Sequence, residues 1–205
     1  MSVRVKICGI TSPAQATMAQ DAGADALGLV IYLKSSRHVD IQKATEIRAV
    51  IGPQTTAVVL LVNADEATVR RVITEVKPDL IQFHGDETPA FCQQFGFPFI
   101  RAIRMREGLD IDAEVSAYKA EGGFLFDAWS EDQYGGTGHQ FDWSRLPSSR
   151  DYPLILAGGL TPDNVASAVT TVRPEMVDVS GGVESSPGVK DPAKVQSFIS
   201  NAKQA

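Results

Sequence analysis

The sequence predicts an α/β protein built as one (β/α)8 barrel, and three observations predict it. Eight short runs rich in valine, isoleucine and leucine recur along the chain, segments of helical length separate them, and the chemically distinctive residues gather just after the runs. The runs are apolar throughout and do not alternate, which is the pattern of parallel strands covered on both faces. Shared among eight units, the 205 residues give about 26 per unit, and such a barrel can be built with about 200 residues. An open doubly wound sheet is the competing topology, since β–α alternation alone does not close a ring.

The strands are expected at Val3–Ile7, Ala26–Tyr32, Ala57–Val62, Leu80–Phe83, Phe99–Ile103, Phe124–Phe126, Leu154–Leu156 and Met176–Val179. Helix starts follow from Ser12-Pro13, Thr88-Pro89, Thr161-Pro162 and Asp191-Pro192, each an N-cap side chain before a proline at the first helical position. Stops are expected at Gly23, Gly52 and Pro78. Two units are weak. Residues 109–121 have helical spacing at Ile111, Val115 and Tyr118 but little apolar area, and 128–145 offer only a short helix after Asp142. Weak or shortened helices are therefore expected after strands 5 and 6. No proline- or glycine-rich linker divides the chain, so residues 1–205 are expected to be a single barrel domain.

Composition narrows the function. With 43% hydrophobic, 21% charged and 7% aromatic residues, the chain is neither collagen-like nor low-complexity nor disordered. A net charge of −6 speaks against a nucleic-acid groove. Cys8 and Cys92 are far apart with no C-x-x-C, and the three histidines are not paired at ligand spacing, so neither a disulfide framework nor a metal site is expected. The N-terminus lacks a signal-peptide core, and no apolar run reaches the roughly 18 residues of a membrane span. A cytoplasmic protein with no membrane partner is expected.

The strand ends carry the chemistry. They read Lys6-Ile7-Cys8-Gly9, Lys34-Ser35-Ser36-Arg37, His84-Gly85-Asp86, Asp127, Ala157-Gly158-Gly159 and Ser180-Gly181-Gly182. In a parallel barrel all of these meet at the C-terminal face, where such folds build active sites. Paired glycines after the last two strands let backbone N–H groups approach an anion, and phosphate sites often form there. The helix expected from Thr161-Pro162 would add its N-terminus to that anion site. Cys8 by itself reads either as a small buried hydrophobe or as a nucleophile or base. Asp127 closes an apolar strand, so its carboxylate needs a partner, solvent or a function. Cys92 reads as packing, and Tyr134–Gly138, lacking a P-loop lysine, reads as a lid beside Asp127.

Taken together, these residues resemble the phosphoribosylanthranilate isomerase family of tryptophan biosynthesis. The resemblance rests on Val5–Thr11, Lys34–Val39, Ile81–Glu87, Phe126–Ala128, Gly135–Gly138 with Phe141–Trp143, Leu156–Leu160, Asp178–Glu184 and Ser186–Asp191, in order along the whole chain. The chain departs from the family pattern at Ser36, usually proline, and at Gly181, usually serine. The resemblance implies a TIM barrel that converts N-(5-phosphoribosyl)anthranilate to 1-(2-carboxyphenylamino)-1-deoxyribulose 5-phosphate by an Amadori rearrangement, with Asp127 as acid and Cys8 as base. It implies Arg37, His84 and Asp178 as substrate-binding residues and Gly158, Gly159, Ser180, Gly181 and Gly182 as phosphate-binding residues. An apolar surround should raise the Asp127 pKa, and nearby positive charge should lower that of Cys8. Arg37 is expected to grip the anthranilate carboxylate from across the barrel mouth, opposite the phosphate loops. The only partner expected is the small phosphosugar substrate, with no cofactor, and a monomer is expected in preference to a homodimer. The related isomerase of histidine biosynthesis is an alternative, but that family resembles a two-fold repeat with aspartate where Cys8 stands. A non-catalytic phosphate-binding barrel would need neither Cys8 nor Asp127.

Overall fold

A computed structural model describes residues 2–128 and 141–205. Strands β1 (Arg4–Cys8), β2 (Ala26–Ile31), β3 (Thr56–Leu61), β4 (Leu80–Phe83), β5 (Phe99–Met105), β6 (Phe124–Ala128), β7 (Leu154–Leu156) and β8 (Met176–Val179) form a closed barrel in sequence order. All neighbours are parallel, and β8 pairs with β1 through Val177↔Val5 and Asp178↔Lys6. Closure decides against the open doubly wound sheet. Strand β6 runs two residues further than Phe126, so Asp127 lies within the strand and not beyond it.

Helices α1 (Pro13–Asp21), α2 (Ile41–Arg48), α3 (Glu66–Arg71), α4 (Pro89–Gln93), α5 (Ile111–Ala117), α6 (Val165–Val172) and α7 (Pro192–Lys203) fill the crossovers. Ser12, Thr88 and Asp191 cap α1, α4 and α7 through their side chains, with proline in each first turn. Helix α6 corrects the expectation at Thr161-Pro162 by starting at Val165. There Asn164 Oδ1 accepts from the Thr161 N–H at 2.8 Å while its Nδ2 donates to the Gly159 carbonyl, which closes a turn before the helix begins. Helix α1 stops before Gly23, whose φ of +95° suits glycine. Helix α2 ends at Arg48, short of Gly52, in tight turns from Val50 and Ile51 back to Ile47 and Arg48. Helix α3 passes into one π turn over Val72–Val76, and Lys77 ends it at φ +54° before Pro78.

The weak units are weak for the expected reason. Helix α5 has no buried residue, and after β6 the described residues hold only a 3-10 turn, Trp143–Arg145, capped by Asp142. A two-stranded antiparallel ribbon, β9 (Glu184–Ser186) and β10 (Val189–Lys190), follows β8 and was not expected from the sequence.

Two apolar layers position the site. Ile7, Leu29, Leu61, Phe83 and Phe126 pack outward beneath the helices. Ala26, Val58, Ile100, Leu125, Ile155 and Met176 fill the lower lumen. Nearer the strands' C-terminal ends the lumen turns polar, with Lys6, Gln82, Asp127 and Asp178 all buried beside Cys8, Val30 and Leu60.

Candidate active site

The strand periodicity explains how the polar residues meet. Side chains two apart on a strand share a face, so Lys6 with Cys8, Gln82 with His84, and Leu125 with Asp127 point into the lumen. A cavity of about 60 Å³ is lined by Cys8, Arg37, His84, Asp127 and Asp178, with Gln82 and Ser180. An adjoining one of about 100 Å³ is lined by Gly158, Gly159, Gly181 and Gly182 and shares Asp127, Asp178 and Ser180. The structure thus brings every sequence-predicted site residue to one mouth. A groove of about 690 Å³ lies at the other end of the barrel, against Val3, Arg173 and Lys203, and none of them lines it. The Tyr134–Gly138 segment, read as a lid, lies outside the described residues.

Cys8 ends β1 and is 5% exposed. Gly28 stands opposite it in register, and a Cβ there would sit 2.8 Å from Sγ, so β2 leaves room for the sulfur by presenting no side chain. Burial pushes the thiol above its ordinary value; Lys6 and Lys190 pull it back only in part, and Asp178 adds to the rise. The expected lowering is therefore overturned in the free enzyme, because desolvation of the thiolate outweighs the cations.

Asp127 is 6% exposed. Its Oδ1 accepts from the Ala128 N–H at 2.8 Å, and its Oδ2 lies 3.4 Å from His84 Nε2. Gln82 Nε2 donates to His84 Nδ1 at 2.8 Å, which puts the ring proton on Nε2, facing Asp127. That Nε2 and Gln82 Oε1 are buried without a hydrogen-bond partner, so the pair is turned toward a ligand or toward the acid. Among the described residues no cluster of three metal-ligating side chains exists.

Arg37 corrects the sequence reading. It does not face the phosphate loops from across the mouth; its side chain crosses β1 toward the loop after β8, where a Cβ on Gly181 would lie 3.2 Å from Nη2. The reason is closure, since β2 and β8 both flank β1. Glu184 holds the guanidinium by two bonds, Nε to Oε1 and Nη2 to Oε2, both 2.8 Å. This fork takes the Nε–Nη2 edge of the guanidinium, and Arg37 also lines the cavity. Lys190 Nζ donates to the same carboxylate at 2.8 Å. Burial pushes Glu184 up, but the bonds from Arg37 and Lys190 outweigh it and hold the carboxyl below the usual range.

The glycine loops form the second cavity. Gly158 has φ +84°, and a Cβ would meet the Ala128 nitrogen at 2.8 Å and Asp127 Oδ1 at 3.1 Å, so only glycine lets the loop lie against the acid. Sequence reasoning assigned no role to Lys6, Gln82, Glu184 or Lys190. For Lys6 and Gln82 a signal was present, namely a charged or amide side chain inside an otherwise apolar strand; for Glu184 and Lys190 only the fold supplies the partner.

The profile of the N-(5'phosphoribosyl)anthranilate (PRA) isomerase family matches residues 5–201. The N-(5'-phosphoribosyl)anthranilate isomerase of Neisseria gonorrhoeae is 50% identical over 98% of this chain and 97% of its own. Among solved structures, phosphoribosyl anthranilate isomerase from Thermotoga maritima superposes with a TM-score of 0.90 at 35% identity, covering 99% of this chain and 100% of its own. A phosphoribosyl anthranilate isomerase in complex with reduced 1-(o-carboxyphenylamino)-1-deoxyribulose 5-phosphate superposes at 0.84 with 33% identity, again over 99% and 100%.

Proposed function

Because the chain belongs to the N-(5'-phosphoribosyl)anthranilate isomerase family, its activity is that isomerisation in tryptophan biosynthesis, and we propose how this site performs it. Family membership sets aside both rivals raised by the sequence. The observation that carries the assignment of roles is the pair of adjoining cavities, one lined by Cys8, Asp127 and Arg37 and the other by the glycine loops, with Asp127 common to both.

Asp127 gives its proton to the furanose ring oxygen as the C1–O bond breaks, and the anilino nitrogen lone pair closes the C1=N iminium. The Cys8 thiolate takes the C2 proton; that electron pair forms C1=C2 and the iminium π pair returns to nitrogen. The enolamine then loses its hydroxyl proton and gains one at C1, giving the aminoketose. Cys8 ends as thiol and Asp127 as carboxylate, and a proton passed through water resets them. The substrate's own nitrogen is the electron sink, so the reading uses no cofactor. His84 Nε2–H steadies the Asp127 carboxylate formed in the first step.

The substrate's two anionic ends fit the two cavities. Gly158, Gly159, Ser180, Gly181 and Gly182 take the phosphate, Arg37 takes the anthranilate carboxylate, and Asp178 meets the sugar between them. The solved complex of the related isomerase holds a ligand with the same two kinds of anionic end. We assign this chemistry to one catalytic domain, residues 1–205, acting in the cytoplasm as a monomer. Among the described residues no helix is long and apolar enough to cross a membrane. The decisive experiment is assay of the purified chain with freshly generated phosphoribosylanthranilate, followed by loss of its fluorescence, alongside sedimentation for the monomer. Turnover retained in Cys8→Ser would refute the assigned base.

A further inference from the structure

Lys6 has no part in the chemistry so far, yet its side chain is fully buried, at 0% exposure. Its ammonium lies 2.7 Å from Asp178 Oδ1, and Asp178 lines the same cavity as Cys8. Burying an ammonium is costly, and a packed methionine would fill the same lumen at less cost, as Met176 does lower down. The sequence places this cation on the strand that carries the thiol, two residues before it and on the same face. Cys8 is faced by Lys6 on β1, Asp178 on β8, Lys190 on β10 and Arg37 from the loop after β2, with His84 and Asp127 across the cavity and no side chain from Gly28. Of the two basic groups that oppose the burial of the thiol, Lys6 has the larger effect, and it shares the strand and the face of the sulfur. Burial favours loss of its own proton, but Asp178 and Cys8 outweigh that and keep Lys6 protonated.

We propose that Lys6 is the positioning residue of the base: its ammonium, held in place by Asp178, stabilises the Cys8 thiolate against the apolar lumen. In the step concerned the Cys8 S–H bond breaks heterolytically, the sulfur keeps the electron pair, the proton goes to water, and Lys6 keeps its own. The proposal rests on the reading of Cys8 as base, but its test does not depend on turnover.

The test is alkylation of Cys8 by iodoacetamide as a function of pH, in a full-length Cys92→Ala background that leaves one thiol. Thiolate displaces iodide, so the midpoint of the rate–pH profile reports thiol ionisation, while the high-pH plateau reports access. Lys6→Met should move the midpoint up by a unit or more, so that the rate at a pH below both midpoints falls about tenfold or more. Lys6→Arg should restore most of the shift. Should Lys6→Met fail to fold with Asp178 left unpaired, Lys6→Met/Asp178→Asn removes both charges; its midpoint should still lie above the parent's, because Lys6 outweighs Asp178 at the sulfur. A folded double variant with the parent's midpoint overturns the proposal, and one that does not fold assigns the pair to stability and overturns it equally. Turnover retained in Cys8→Ser would instead refute the base while leaving the Lys6–Cys8 coupling standing.

Discussion

A thiol raised by burial sets the pH response at the scale of single residues. Because little Cys8 is ionised in the free enzyme at neutral pH, kcat/KM should climb as pH rises above 7 and not plateau there. A pH profile flat from 7 to 9 would contradict this. Cys8→Ser keeps the shape of the site but replaces the thiol with a far weaker acid, and Asp127→Ala removes the proton donor. Each should lower kcat by roughly 10²–10⁴-fold while circular dichroism stays native. Arg37→Ala should lower kcat/KM about tenfold or more, and Arg37→Lys should recover only part, since one ammonium cannot serve both Glu184 and a carboxylate.

At the scale of elements, the loop after β4 is held by a buried ion pair. Arg101 on β5 donates to Glu87 Oε2 at 2.9 Å and to the carbonyls of Phe83 and Gly85, while its guanidinium stacks 4.7 Å from the Tyr118 ring. Arg101→Met leaves the buried Glu87 carboxylate without a cation, held only by the Asn63 and Gly85 N–H groups, so urea unfolding should show a loss of about 3 kcal/mol, accompanied by weaker substrate binding as His84 shifts. Helix α4 carries a second pH dependence. Burial pushes Cys92 up to about 12. The unfolded chain loses that proton from about pH 8.5 upward while the folded one keeps it, so stability falls between those limits, and Cys92→Ala should flatten the slope of unfolding free energy against pH. Elements were legible where local chemistry decides them. The β-branched runs gave the strands within one or two residues, and three of the four proline-preceding caps start helices. Helix α6 escaped because the Asn164 side chain closes a turn that Thr161-Pro162 does not announce. The β9–β10 ribbon escaped because its value lies in placing Glu184 and Lys190 against Arg37, a partner far away in sequence.

At the scale of the whole molecule, the site was legible as a set of strand ends but not as a set of pairs. Cys8, Asp127 and the glycine loops follow from parallel order alone, whereas the reach of Arg37 toward β8 depends on ring closure, which β–α alternation cannot supply. Two loops from separate units make the proposed anion site, so phosphate should stabilise the folded barrel as a unit. At a concentration one hundred times its Kd it should add about 2.7 kcal/mol, and for a chain of this length the melting temperature should rise by roughly 5–10 °C in calorimetry. No rise would remove the glycine loops as the phosphate site. Closure has a temporal meaning as well. Lys6 and Asp178 are 172 residues apart in sequence, yet they share one hydrogen bond on adjoining strands. During synthesis the thiol at Cys8 emerges well before its neighbours on β8. A growing chain therefore carries an ordinary cysteine until β8 leaves the ribosome, and stalled fragments ending before Met176 should be catalytically silent however much of the barrel they contain.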